Sequence, residues 1–518
     1  MIFGTFKKFL KFISNRITLT VIALFIQFMF YFLIYWYLTS RRYLLANVIM
    51  WIVAVVTVLW LTNSRINPGY KLIWTSLILA LPLVGIVMYF SAGKSRVAKL
   101  FQKEMKKIET EMGDVLEEDP EVRKHMDQED LGISNQSRYL ERMAKAPAYE
   151  HTVTEYFSVG EDWFAKYVEE LKKAKHYIFL EFFIISPGYM WNTVLEILKE
   201  KVKEGVDVRI IYDGMICVTT LPPKYYKVLQ SYGIKCAAFN PFRPVLNIIQ
   251  NNRDHRKITV IDGHTAFTGV INLSDEYINQ WERFGHWKDS GIYLHGEAVW
   301  SFTVMFLKMW SVITGLPCDI SSLYHPNQYY LETFPSDGFV QPYGDSPLDD
   351  ETVGENVYRN IISNAKKYVY IFTPYLVLDN EIMTELCTAS RKGVDVRIVT
   401  PGIPDKKMVF LLSQSYYEQL LEAGVRIYQY TPGFIHSKSF VSDDEVAVVG
   451  SINLDYRSLY LHFECGCWMY KTASVMQVTQ DALNTFEISR EIDLDFCRNR
   501  NIAVRGFQAI LRLIAPTL

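Results

Sequence analysis

A short pattern occurs twice in this chain, in register, and it restricts the fold to one built from two equivalent halves. The first copy is His255-Arg256-Lys257, then Asp262, Gly269 and Asn272; the second is His436-Ser437-Lys438, then Asp443, Gly450-Ser451 and Asn453. In both, Lys follows His by two residues, Asp follows Lys by five and Asn follows His by seventeen. Ile258-Thr259-Val260-Ile261 and Ser439-Phe440-Val441-Ser442 are β-rich runs ending in the turn formers Asp262-Gly263 and Asp443-Asp444, so each copy reads as a β-hairpin. On a strand, His and Lys two apart share one face, and the returning strand brings Asn272 back beside His255 and Asn453 beside His436. Each copy thus gathers an imidazole, an ammonium and an amide at one hairpin end. That set suits a phosphate: a nucleophile or acid, a fixed positive charge and a hydrogen-bond donor. By position, Asp262 and Asp443 read as turn or scaffold residues.

The duplication extends beyond the motifs. Lys172–Leu180 echoes Ser363–Ile371, Glu204–Ile210 echoes Lys392–Ile398, and Tyr232–Lys235 echoes Ala423–Arg426. Each half reads helix, strand, helix, strand, helix, strand and then the motif hairpin. Alternating strands and helices imply an α/β architecture with a mostly parallel sheet covered on both faces. Two such halves about a pseudo-two-fold axis would bring the two His residues face to face at their interface. Glu181 and Asp213 end strands, where open α/β sheets put ligand-facing residues; scaffold is the equally weighted reading.

Three apolar runs, about residues 17–38, 43–61 and 72–90, contain no Lys, Arg, Asp or Glu. Each has roughly the twenty residues needed to cross a bilayer, giving two or three spans in residues 1–93. Residues 94–150 form a charged helical connector in which Leu100, Phe101, Met105, Ile108 and Met112 are spaced as on an amphipathic helix. Residues 151–317 and 339–518 are the two halves, and 318–338 the linker. The tail around Arg505 to Ile514 is a basic amphipathic stretch suited to packing on the catalytic body. Net charge is −2, which argues against a non-specific nucleic-acid binder. Seven cysteines without metal-ligand spacing suggest a reducing compartment, with Cys465 and Cys467 a buried, inert pair.

The doubled pattern resembles the His-Lys-Asp signature of the phospholipase D superfamily. The surrounding sequence is similar to its bacterial cardiolipin synthase branch across nearly the whole chain. Asn67-Pro68-Gly69 with Trp74, Trp287-Lys288-Asp289, Thr373-Pro374-Tyr375 and Asn453-Leu454-Asp455-Tyr456-Arg457-Ser458 carry that likeness. The sequence departs at Val270, where the family usually has a second Gly.

The resemblance implies two phospholipase D-like α/β halves preceded by transmembrane helices, in a multi-pass protein of the bacterial cytoplasmic membrane with its catalytic part on the cytoplasmic side. Its catalytic set is His255, Lys257, Asp262, His436, Lys438 and Asp443, with His255 the nucleophile and His436 the acid and base; the spacing itself is symmetric. Asn272, Asn453 and Ser451 are the candidate phosphate contacts. Glu464 and Asp289 match downstream acidic positions that orient the imidazoles. The implied reaction joins two phosphatidylglycerols into cardiolipin, releasing glycerol, through a phosphohistidine. The alternative is a membrane phospholipase D or phosphodiesterase that hydrolyses headgroups. With two lysines to neutralise the phosphate oxygens, neither a metal nor another cofactor is required.

Overall fold

A computed structural model describes residues 25, 28–30, 32–37, 44–93, 96–113, 115–240, 252–318, 320 and 322–517. The chain forms two compact units, a small amino-terminal one and a large one that runs from Phe101 to Arg512 apart from 242–251.

In the small unit, Leu44–Thr62 is one apolar helix of 19 residues, long enough to cross a hydrocarbon core. Most of the first apolar run, its preceding Lys7, Lys8, Lys11 and Arg16, and the Arg41-Arg42 loop lie outside the described residues. The third run corrects the sequence reading. It is two helices, Pro68–Ala80 and Pro82–Gly93, about 20 and 18 Å long, each too short to span. Pro82 lacks the N–H that a continuing helix needs, and Leu81 leaves helical geometry at φ −138° and ψ 75°. The second helix folds back on the first. A Cβ on Gly85 would stand 2.6 Å from the Ile78 Cα, so this close approach requires glycine.

Among the described residues the large unit holds eighteen strands. The first half contributes Thr152–Phe157 (β1), Tyr177–Phe182 (β2), Asp207–Asp213 (β3), Lys235–Phe239 (β4), Arg253–Asp254 (β5), Lys257–Ile261 (β6), Thr265–Gly269 (β7), His286–Lys288 (β8) and Gly291–Gly296 (β9). The second contributes Phe339–Asp345 (β10), Tyr368–Phe372 (β11), Asp395–Pro401 (β12), Arg426–Tyr430 (β13), Gly433–Ile435 (β14), Ser439–Ser442 (β15), Val446–Gly450 (β16), His462–Tyr470 (β17) and Ser489–Ile492 (β18).

The first sheet has the order β1-β9-β7-β6-β2-β3-β4, and the second repeats it as β10-β17-β16-β15-β11-β12-β13 before adding β18. Both are mixed sheets. Along these orders β2-β3-β4 and β11-β12-β13 run parallel and the other neighbours antiparallel; β5, off the path of the second sheet, also pairs parallel with β17. The expectation of mostly parallel sheets therefore held for the helix-connected strands alone. Once the chain turns through the tight motif hairpin, geometry makes the neighbours antiparallel.

The halves share one core. The apolar helix Val299–Thr314 contributes Phe302 and Phe306 to one continuous buried cluster that also takes in Ile258 and Val260 of the first sheet and Val441, Val449 and Cys465 of the second. Each fully buried Phe contributes on the order of 1.5–3 kcal/mol. Phe101 and Met105 of the connector helix pack on the same core. In the tail helix Ile502–Ile514, Gln508 and Leu511 are buried while Ile502, Phe507 and Ile510 stay exposed.

Candidate active site

Two short strands clamp the halves together, and each carries a motif histidine at its end. Strand β5 pairs with β17 of the second half, so that the His255 N–H donates to Phe463 O at 2.9 Å. Strand β14 pairs with β8 of the first half, and the His436 N–H donates to Lys288 O at 2.8 Å. Each imidazole is therefore delivered beside the strand that carries the other half's carboxylate. His255 Nδ1 lies 2.8 and 2.9 Å from the two oxygens of Glu464. His436 Nδ1 lies 3.3 Å from both oxygens of Asp289. The pairing is crossed, which spacing within either half does not reveal. With Nδ1 fixed by a carboxylate, Nε2 of each ring is the atom left for chemistry.

All four groups are buried, as are both motif lysines. Lys257 Nζ donates to the carbonyl of His255, and Lys438 Nζ to that of His436 at 2.6 Å. Burial, then the positive charges of Lys257, Lys438 and His436, hold His255 well below the usual imidazole range. Burial with Lys438 and Lys257 does the same to His436. Each imidazole thus feels the lysines of both halves, as a shared site requires. Burial lowers the ammonium of Lys257 to about 8 and that of Lys438 to about 7, and raises the Asp289 carboxyl to about 7. An arriving phosphate would restore the missing negative charge and return protons to these bases.

Other residues take different places from those the sequence suggested. Asp262 and Asp443, which the resemblance placed in the catalytic set, are a correction: they lie at the far ends of β6 and β15 from the histidines. Asp262 accepts the N–H groups of Lys175, His176 and Tyr177 at 2.8, 2.8 and 2.9 Å. Asp443 accepts those of Lys366, Lys367 and Tyr368 at 2.7, 2.8 and 2.9 Å. Both pin the hairpin turn, as position suggested, and stand away from the chemistry.

Ser451 is a further correction. Its hydroxyl donates to Glu464 and accepts from Cys465 N at 3.0 Å, so it supports a carboxylate rather than facing a phosphate. Asn272 accepts from Ile184 N at 3.0 Å and donates to Tyr277 Oη at 2.7 Å; Asn453 donates to Ser458 Oγ at 3.0 Å. One amide N–H of each is engaged in bracing the loop after its hairpin. Glu181 and Asp213 are scaffold: Arg256 lies 2.5 Å from Glu181, and Arg253 lies 3.2 Å from Asp213. Cys465 and Cys467 are buried free thiols, and burial pushes Cys465 up to about 11. Val270 is wholly buried in the first-half core. The close approach falls on its neighbour Gly269, where a Cβ would meet Gly291 Cα at 2.7 Å; Gly450 meets Gly466 Cα at 2.6 Å in the same way.

Sequence reasoning missed four neighbours. His462 lies beside His255 with ring centroids 5.4 Å apart, and burial drives it down to about 3. Ser290 and Ser437, one from each half, share a 2.5 Å hydrogen bond. Lys406 adds its charge to both motif imidazoles and sits 4.8 Å from the Tyr375 ring. His462 stands two residues before Glu464, the one sequence signal that could have drawn it in; Lys406 comes from an ordinary loop.

A family model described as "Cardiolipin synthase, PLD-like domain" matches residues 167–310 and 358–487, and one described as "Phospholipase_D-nuclease N-terminal" matches 49–94. A Streptococcus mutans protein described only as uncharacterized is 43% identical over 462 residues, covering 89% of this chain and 99% of that one. A cardiolipin synthase of Alkalihalophilus pseudofirmus is 35% identical over 459 residues, covering 87% and 90%. The crystal structure of phosphatidylserine synthase from Haemophilus influenzae superposes with a TM-score of 0.56 at 15% identity, over 74% of this chain and all of that one; this likeness bears on the fold. Two equivalent α/β halves that exchange carboxylates with each other's motif histidines define a protein of the phospholipase D superfamily. Within it, the chain belongs to the cardiolipin synthase family of phospholipid phosphatidyltransferases.

Proposed function

We propose that this enzyme joins two phosphatidylglycerol molecules into cardiolipin and releases glycerol, by double displacement through a phosphohistidine. The observation that carries the reading is the crossed pair: two buried imidazoles, each held at Nδ1 by the other half's carboxylate and each under the charge of both lysines. In the first step the Nε2 lone pair of neutral His255 attacks phosphorus. The bond from phosphorus to the glycerol oxygen breaks, and protonated His436 gives its proton to that oxygen. In the second, a hydroxyl of another phosphatidylglycerol attacks the same phosphorus while His436 takes its proton. The N–P electrons return to Nε2.

Lys257 and Lys438, with the remaining amide N–H of Asn272 and Asn453, would hold the non-bridging oxygens through both steps. The phosphate's own charge raises the His436 pKa at the moment an acid is needed. The charge required is present on the chain, so the steps need no metal. Two substrates of one lipid class are concentrated where the apolar helix Leu45–Thr62 anchors the protein, which favours a lipid hydroxyl over water as acceptor. We place the enzyme in the bacterial cytoplasmic membrane as a multi-pass protein with its catalytic part inside, the side where seven free thiols stay reduced.

The test is purified full-length protein in phosphatidylglycerol vesicles. Cardiolipin and glycerol should form in equal amounts. Phosphatidic acid without cardiolipin would make it a hydrolase.

A further inference from the structure

His462 has no role in the reaction just described, yet it occupies the site. It is 8 % exposed, and neither ring nitrogen has a hydrogen-bond partner among the described residues. Glu464 Oε1 is 3.5 Å from its Nδ1, beyond good hydrogen-bond reach. The equivalent position in the first half, two residues before the carboxylate, is Trp287, whose Nε1 donates to Asp289 at 3.1 Å. The first half thus fills this place with a bonded indole. The second fills it with an imidazole whose lone pair is uncommitted. Leaving such a group buried without a partner is unfavourable, and an ordinary core histidine avoids that by bonding to a neighbour.

Its surroundings indicate what it could hold. One donor atom each from His255, His462 and Glu464 lie within 4.8 Å of one another. Glu464 Oε1 is common to both contacts, 2.8 Å from His255 Nδ1 and 3.5 Å from His462 Nδ1. A tetrahedral zinc ion with bonds of about 2.0–2.2 Å keeps its ligand atoms about 3.3–3.6 Å apart, so small rotations of these rings would enclose it. Two imidazoles and a carboxylate are a donor set that zinc accepts, with a fourth position left open.

We propose that His255, His462 and Glu464 form a binding site for a divalent transition metal of the zinc type, and that its occupation switches the enzyme off. An imidazole that ligates through Nδ1 carries its proton on Nε2. His255 held in that tautomer has no lone pair at Nε2 with which to form the N–P bond, and Glu464 is drawn from orienting the ring to binding the ion. No proton is lost in the change; it moves from one ring nitrogen to the other. The binding site stands on geometry alone, whereas the inhibition rests on the nucleophilic role proposed for His255.

The experiment uses the full chain stripped of metal with a chelator. One equivalent of Co²⁺ should give the visible ligand-field bands of a tetrahedral N/O site without the near-ultraviolet band of cobalt–thiolate ligation. Zn²⁺ should stop cardiolipin formation, and chelator should restore it. His462→Asn and His462→Gln should lose the Co²⁺ bands and need at least about tenfold more Zn²⁺ for half-inhibition of their own metal-free rates. Absence of the bands, a thiolate band instead, or unchanged Zn²⁺ sensitivity in both variants would overturn the site. Bands that vanish with His462 while wild-type turnover ignores Zn²⁺ would keep the site, overturn the switch, and count against His255 as nucleophile.

Discussion

The carboxylate of the second half grips His255 through contacts of 2.8 and 2.9 Å, whereas the carboxylate of the first half stands 3.3 Å from His436. The reason lies one residue after the hairpin glycine. There the second half has Ser451, whose hydroxyl donates to Glu464; the first has Val270, which offers Asp289 nothing. Asp289 is bound instead by Trp287 Nε1 and Ser290 N at 3.1 and 3.2 Å, and burial raises its carboxyl to about 7. Two copies of one motif are thus held with different firmness. A tightly oriented ring suits a nucleophile that must aim one nitrogen at phosphorus. A looser ring beside a carboxylate that titrates near neutrality suits a group that must give and take a proton. The difference teaches that a duplicated fold can hold identical motifs in different ways through its supporting residues, and under the proposed mechanism that is where division of labour would arise.

The sharpest way to break this comparison is to remove the rings one at a time. His255→Ala and His436→Ala should each lower turnover by about 10⁴-fold or more. Only the His436 variant should retain labelled phosphatidyl group on the protein after a quench, and label on the His255 variant would reverse the assignment. Next, Glu464→Gln should cost about 10³–10⁴-fold in kcat and Asp289→Asn about 10²-fold; equal losses would remove the asymmetry.

Anion affinity tests the lysines. Lys438 and Lys257 titrate at about 7 and about 8 in the empty site, so both are charged below pH 6 and neutral above pH 9. Competitive inhibition by sulfate, whose charge is constant over that range, should weaken at least about tenfold as pH rises through it. A flat profile would show the lysines to be ordinary surface-like cations. The smallest effects come from the supporting pair. Ser451→Ala should slow turnover about two- to tenfold, the worth of one hydrogen bond. Val270→Ser, supplying the missing hydroxyl, should shift the pH profile more than the rate.

Much of the site could be read from spacing. His255, Lys257, His436 and Lys438 were legible because period-two strands and a tight turn are local rules, and the repetition of the pattern fixed the two halves. Asp262 and Asp443 were legible as turn residues for the same reason. Ser451 was misread as a phosphate contact because the direction of its hydroxyl depends on Glu464, thirteen residues on and across the sheet. The third apolar run was misread as one span because hydropathy does not register the break that Pro82 imposes or the close packing at Gly85.

By itself the sequence determined the class of fold, the doubled motif and the residue types gathered at each hairpin end, since these follow from local periodicity and from repeats within one chain, and its motifs carried the family resemblance. Only the tertiary structure decided that the carboxylates cross between halves, that Glu464 and Asp289 stand at unequal distances from the rings they face, and that His462 lies beside His255 with no hydrogen-bond partner among the described residues. Those facts depend on which strand ends the short pairings β5–β17 and β14–β8 bring together. Contacts between residues some two hundred positions apart, such as His255 and Glu464, are set by packing, and no spacing rule encodes them.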